Sequence, residues 1–79
     1  MKRADFDKLN VGDIVKIRHH AKGRNDGRHG KIVLKQGEYV CLVPLDGEPL
    51  YMTDTQYRNT DPHLPMVVLH LQNIDLLGL

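Results

Sequence analysis

Apolar and polar positions alternate along residues 13–20. Val15 and Ile17 share a face with Asp13 and His19, while Lys16 and Arg18 share the other with Ile14 and His20. A period of two rich in β-branched residues predicts a half-buried strand, with Lys16 and Arg18 turned outward. The alternation resumes over residues 30–35, with Ile32 and Leu34 on one face and Lys31, Val33 and Lys35 on the other. Residues 38–45 are apolar on both faces through Tyr39-Val40-Cys41-Leu42-Val43, which predicts an internal strand with Tyr39 and Cys41 in the core. The intervening Gln36-Gly37 predicts a tight hairpin turn. Asp46-Gly47-Glu48-Pro49 predicts another, leading into a short fourth strand at Leu50-Tyr51-Met52-Thr53. Residues 66–72 predict a last strand, with Val67, Leu69 and Leu71 facing one way. Asn73-Ile74-Asp75-Leu76-Leu77 then closes the core as a turn or one-turn helix. Near the start, Phe6 and Leu9 stand three apart, as one helical or 3-10 turn packed on the end of the core requires. The expected fold is all-β, a small barrel of about five strands with a short 3-10 or helical turn at the ends.

Composition narrows what such a barrel can do. Seventy-nine residues are read as a single domain, 1–79, too small to hold a large buried catalytic cleft. The lone Cys41 forms no internal disulfide, which suits a reducing compartment. No apolar run approaches the roughly 20 residues of a membrane span, and the first residues lack an apolar signal core. A cytoplasmic chain with no membrane partner is expected. Charge is close to balanced in total but not along the chain. Residues 1–35 carry ten Lys/Arg against four Asp, and residues 36–79 carry one Arg against six Asp/Glu. Such asymmetry marks a basic face for nucleic acid or an acidic partner, unless folding mixes the halves.

The most suggestive surface is the loop at residues 21–29, where Lys22, Arg24 and Arg28 stand among Gly23, Asn25-Asp26 and Gly27, with Lys31 just beyond. Glycine-exposed N–H groups beside Arg and Lys suit phosphate. The spacing is not that of a P-loop, and a merely solvated loop is the alternative. The five histidines include adjacent His19 and His20, which point to opposite faces of a strand, and no Cys or carboxylate completes a ligand spacing. Neither metal nor other cofactor is expected. No nucleophile–base pair stands out and Cys41 sits mid-strand, so the chain is not expected to be an enzyme. Residues 54–65 carry two prolines and no periodicity. They hold Tyr57 and Arg58 near Tyr51, a set suited to protein contact because Tyr and Arg are frequent interface anchors.

Val11-Gly12-Asp13-x-Val15-x-Ile17, then Gly27-x-x-Gly30-Lys31-Ile32-Val33, then an apolar strand ending in Leu45-Asp46-Gly47, resembles the KOW-type, SH3-like barrels of ribosomal proteins and NusG-type elongation factors. Asn73-Ile74-Asp75-Leu76 resembles the closing strand and turn of small bacterial SH3-like proteins. The resemblance covers residues 10–47 and, less fully, 66–77. It implies an SH3-like barrel whose basic positions around the glycines, here Lys22, Arg24, Arg28 and Lys31, touch RNA or protein. The loop is longer than in the usual KOW unit and includes Asp26, and residues 48–65 have no counterpart.

Two functions are therefore expected. The first is binding of an RNA or DNA phosphate backbone, or a ribonucleoprotein, through Lys16, Arg18, Lys22, Arg24, Arg28 and Lys31. The second is an accessory or scaffolding subunit that binds a protein partner through Tyr51, Tyr57 and Arg58, or a second copy as a homodimer through an exposed fourth or first strand.

Overall fold

The computed structural model describes residues 1–51 and 66–77. Its elements run α1 (Arg3–Phe6), β1 (Ile14–Ile17), β2 (His29–Gln36), β3 (Tyr39–Pro44), β4 (Val67–His70), a 3-10 turn (Leu71–Asn73) and β5 (Ile74–Leu76). The strands form one antiparallel sheet in the order β4-β3-β2-β1-β5.

That order cannot lie flat. Its edge strands would stand roughly 19 Å apart at ordinary strand spacing. Yet β4 and β5 are joined only by the Leu71–Asn73 turn, which advances about 2 Å per residue. The sheet therefore curls until its edges approach, which makes a small all-β, barrel-like fold. One apolar cluster fills the concave side, contributed by every strand: Val15 and Ile17, Ile32, Val40 and Leu42, Val67 and Leu69, and Ile74. Phe6 and Leu9 close it at one end, as their spacing predicts, and are almost wholly buried. Gly30 is required by close approach, since a Cβ there would lie 3.0 Å from the Leu42 side chain.

A bulge alters the predicted facing of β2. Ile32 pairs with Leu42 but Leu34 pairs with Cys41, leaving Val33 as the extra residue. Cross-strand partners share a face, so the slip turns Leu34 outward and Lys35 inward, opposite Val40. Leu34 is accordingly exposed rather than buried. Lys35 uses the new position to hold α1. Its Nζ donates to the Phe6 and Leu9 carbonyls at 2.7 and 3.0 Å and lies 4.6 Å from the Phe6 ring centroid. The Phe6 carbonyl also accepts from the Leu9 N–H at 3.1 Å, and both carbonyls lie at the end of α1 and just beyond it, where a cation is favourable.

Other expectations are corrected. Residues 74–76 form strand β5 on β1 rather than a turn or helix, and the 3-10 turn precedes them. Leu50 is buried in the core, but neither it nor Tyr51 belongs to a strand. The Asn25 side chain occupies both the N–H and the C=O of Tyr51, the groups a strand partner would need. Met52 and Thr53, the irregular stretch at 54–65, and with it Tyr57, Arg58 and His63, lie outside the described residues. Tyr39 and Cys41 face outward. Tyr39 is about half exposed, set edge-on to His70 at 5.1 Å, and Cys41 is partly buried.

Candidate nucleic-acid interface

The register of β1 against its neighbours sets the outer surface. Val15 and Ile17 point into the core, so Ile14 and Lys16 point out. Lys16 stands opposite His29 on β2 and Asp75 on β5, and Lys31 stands opposite Ile14. Lys16 and Lys31 are thus diagonal neighbours on one face, a relation that puts Cα atoms roughly 7–8 Å apart. Both are exposed, and neither side chain makes a hydrogen bond or ion pair among the described residues.

Arg18 lies just past β1 and turns toward the closing turn. Its Nε donates to the Gln72 carbonyl at 3.2 Å, and its guanidinium lies 3.4 Å from Asp75. Lys2, Asp5, Lys16, Arg18, Gln72 and Asp75 line an open cleft of about 690 Å³. Lys2 escapes a reading of the sequence because long-range contacts bring it to the cluster: the Met1 ammonium donates to the Leu71 carbonyl at 3.3 Å, and Lys35 holds α1.

The connection between β1 and β2, residues 18–28, does not dangle. Arg28 faces away from the outer surface and is taken up by the turn after β3. It donates to the Asp46 carboxylate and the Glu48 and Pro49 carbonyls at 2.7–2.8 Å. The Asp46 carboxyl is held below the usual carboxylate range, first by the Glu48 backbone N–H and then by Arg28. Arg24 sits 5.5 Å from the ring centroid of Tyr51, a cation–π contact on a ring that is itself about half exposed. Lys22 is exposed and makes no hydrogen bond or ion pair among the described residues. With Arg18, the loop therefore holds two cations spent on structure, one stacked on an aromatic and one in solvent.

Behind these cations lies a buried polar node that the alternation does not reveal. β1 ends at Ile17, and His19, Ala21 and Lys22 all take left-handed backbone angles of φ +50° to +58°. The change of hand leaves His19 exposed instead of at the core rim. It carries His20, expected beside Lys16 and Arg18, to the inside. Asn25, fully buried, donates to the His20 Nδ1 at 3.0 Å and the Tyr51 carbonyl at 2.7 Å, and accepts from the Tyr51 N–H at 2.9 Å. Burial holds the His20 pKa below its ordinary value, against an opposing pull from the Asp26 carboxylate.

On the same outer face, farther from the loop, the surface is apolar. Leu34, Gln36, Tyr39, Cys41 and Val68 border a shallow groove of about 340 Å³. Burial pushes the Cys41 thiol up, which disfavours the nucleophilic thiolate although the residue is not in the core. No group of three or more potential metal ligands occurs among the described residues. No helix among them is long and apolar enough to cross a membrane. A scan against protein-family models and searches of curated proteins and of solved structures return no match.

Proposed function

We propose that this chain is a non-catalytic binding module, an SH3-like barrel of the KOW kind, that takes up the phosphate backbone of RNA or DNA. The observation that carries the reading is the set of uncommitted cations at one end of the β1–β2 hairpin. Lys16 and Lys31 share one face of adjacent strands, and Lys22 and Arg24 stand in the connecting loop. Arg18 and Arg28 take a positioning role, since their guanidinium groups already bond to protein. Arg24 stacked on exposed Tyr51 offers a flat cation–aromatic surface of the kind on which unpaired bases stack. The strand order and the 3-10 turn before β5 agree with the SH3-like resemblance. The lone cysteine agrees with work in a reducing cytoplasm.

The test is fluorescence anisotropy of labelled single-stranded RNA and duplex DNA at rising salt. Backbone binding falls steeply, with log K against log salt sloping by about −0.9 per phosphate neutralised on duplex DNA. The K16E/K31E double variant loses that binding. No binding at low salt, or binding unchanged in the variant, overturns the proposal.

A second reading rests on the apolar half of the outer face. Leu34 and Tyr39, each about half exposed, border the 340 Å³ groove and would suit an apolar segment of a protein partner. In that case L34E abolishes complex formation while K16E/K31E leaves it intact.

A further inference from the structure

The Asn25 clamp admits only one protonation state of His20. The Tyr51 backbone N–H can only donate, so it fixes the Asn25 Oδ1 as its acceptor. The Asn25 Nδ2 is then the atom that faces both the Tyr51 carbonyl and the His20 ring. It can only donate, so the His20 Nδ1 must be a bare acceptor and the proton must sit on Nε2. Nε2 is buried and has no hydrogen-bond partner among the described residues. A second proton has one place to go, Nδ1, and there it meets an N–H₂ group head-on. Rotating the amide does not relieve the conflict, because it would turn N–H₂ toward the Tyr51 N–H and an oxygen toward the Tyr51 carbonyl.

We propose that His20 is the trigger of an acid-sensitive latch: protonation breaks the Asn25–Tyr51 clamp and frees the residue 18–28 loop from the chain at Tyr51. The backbone around the trigger is primed to move. His19, Ala21 and Lys22 all hold left-handed angles without being glycine. Such residues persist only where their surroundings impose them. The charged groups facing the clamp are Asp26, whose Oδ1 accepts from the His20 backbone N–H at 3.3 Å, and Arg24 over the Tyr51 ring. His19 beside it is exposed to solvent.

The sign follows from burial. The folded His20 pKa lies below the ordinary 6.5, so the clamp is fully stable above pH 6.5 and weakens as pH falls below it, down to the folded pKa. Within that window opening grows about tenfold per pH unit, the factor that one proton imposes. The latch is a property of the loop and holds whether or not nucleic acid binds.

Hydrogen exchange at the Tyr51 amide, corrected for its intrinsic pH dependence, measures the opening directly. In the wild type it speeds about tenfold per pH unit below 6.5. In His20→Asn, whose side-chain oxygen takes the place of Nδ1 and does not titrate there, the corrected rate is flat, although Asp26 is retained. A flat wild-type rate, or the same slope in His20→Asn, overturns the latch. Should His20→Asn not fold, ¹⁵N shifts of the wild-type ring decide: the Nε2–H form at neutral pH supports the latch, and the Nδ1–H form overturns it.

Discussion

The β2–β3 turn and the β1–β2 loop each join antiparallel neighbours in one sheet, and they differ in what sets their backbone path. Between β2 and β3 only Gly37 and Glu38 intervene, and Gly37 supplies the φ of +59° the reversal needs. The reversal itself is set locally, and Glu38 then ties the finished turn to Arg3 and His70 through its carboxylate and to the Leu71 N–H through its carbonyl, all at 2.9 Å. Residues 18–28 instead fix their path through Asn25 to Tyr51 and Arg28 to the turn at 46–49, partners 18 to 26 positions away. The difference shows that charge written into a loop is not charge offered to a ligand. Five cations stand in or just beyond the loop, yet Arg18 and Arg28 are consumed by the fold, and what remains is presented by the residues that hold the loop still.

The contrast can be broken most severely at Asn25. Asn25→Ala removes three hydrogen bonds and leaves Tyr51 and His20 groups unpaired inside the protein. Stability should fall by about 3 kcal/mol in chemical denaturation. Gly30→Ala, where the loop has already rejoined the sheet, forces a Cβ to within 3.0 Å of Leu42. The expected loss is about 2 kcal/mol, because the Leu42 Cβ is fixed by its own strand. At the tight turn, a Cβ on Gly37 meets no atom within 4 Å. Gly37→Ala therefore costs only the left-handed backbone penalty, about 1 kcal/mol. The smallest effect is at Arg28, whose contacts lie toward solvent. Arg28→Ala should cost about 0.5–1 kcal/mol, discounted for screening. In that variant the Asp46 carboxyl titrates somewhat higher by NMR but stays below the usual range, because the Glu48 N–H remains its larger cause.

The same division governs what could be read from the sequence. Period-two alternation locates β1, β2 and β4, a run apolar on both faces locates β3, and the Phe6/Leu9 spacing locates the end cap, because burial leaves a local signature. Gly37 was legible for the same reason. Val33 was not: a bulge adds a residue without changing composition, and only the pairing of Leu34 with Cys41 exposes it. Residues 19 and 20 were assigned to the wrong sides because nothing in His19-His20 marks a left-handed turn. Asn25 looked like turn chemistry, and its actual role depends on a backbone segment that no local pattern connects to it. Among the candidate contacts, Lys16 and Lys31 were placed on the outside by alternation alone. The engagement of Arg18 and Arg28 became visible only once β5 and the 46–49 turn were in place.

The most direct test of the functional account is an NMR titration of isotope-labelled protein with a short RNA oligonucleotide at low and at physiological salt. The account predicts shifts at Lys16, Lys22, Arg24, Lys31 and Tyr51 that shrink as salt rises, with Leu34, Tyr39 and Val68 unmoved. Shifts centred on Leu34, Tyr39 and Val68, or no shifts at low salt, would contradict it.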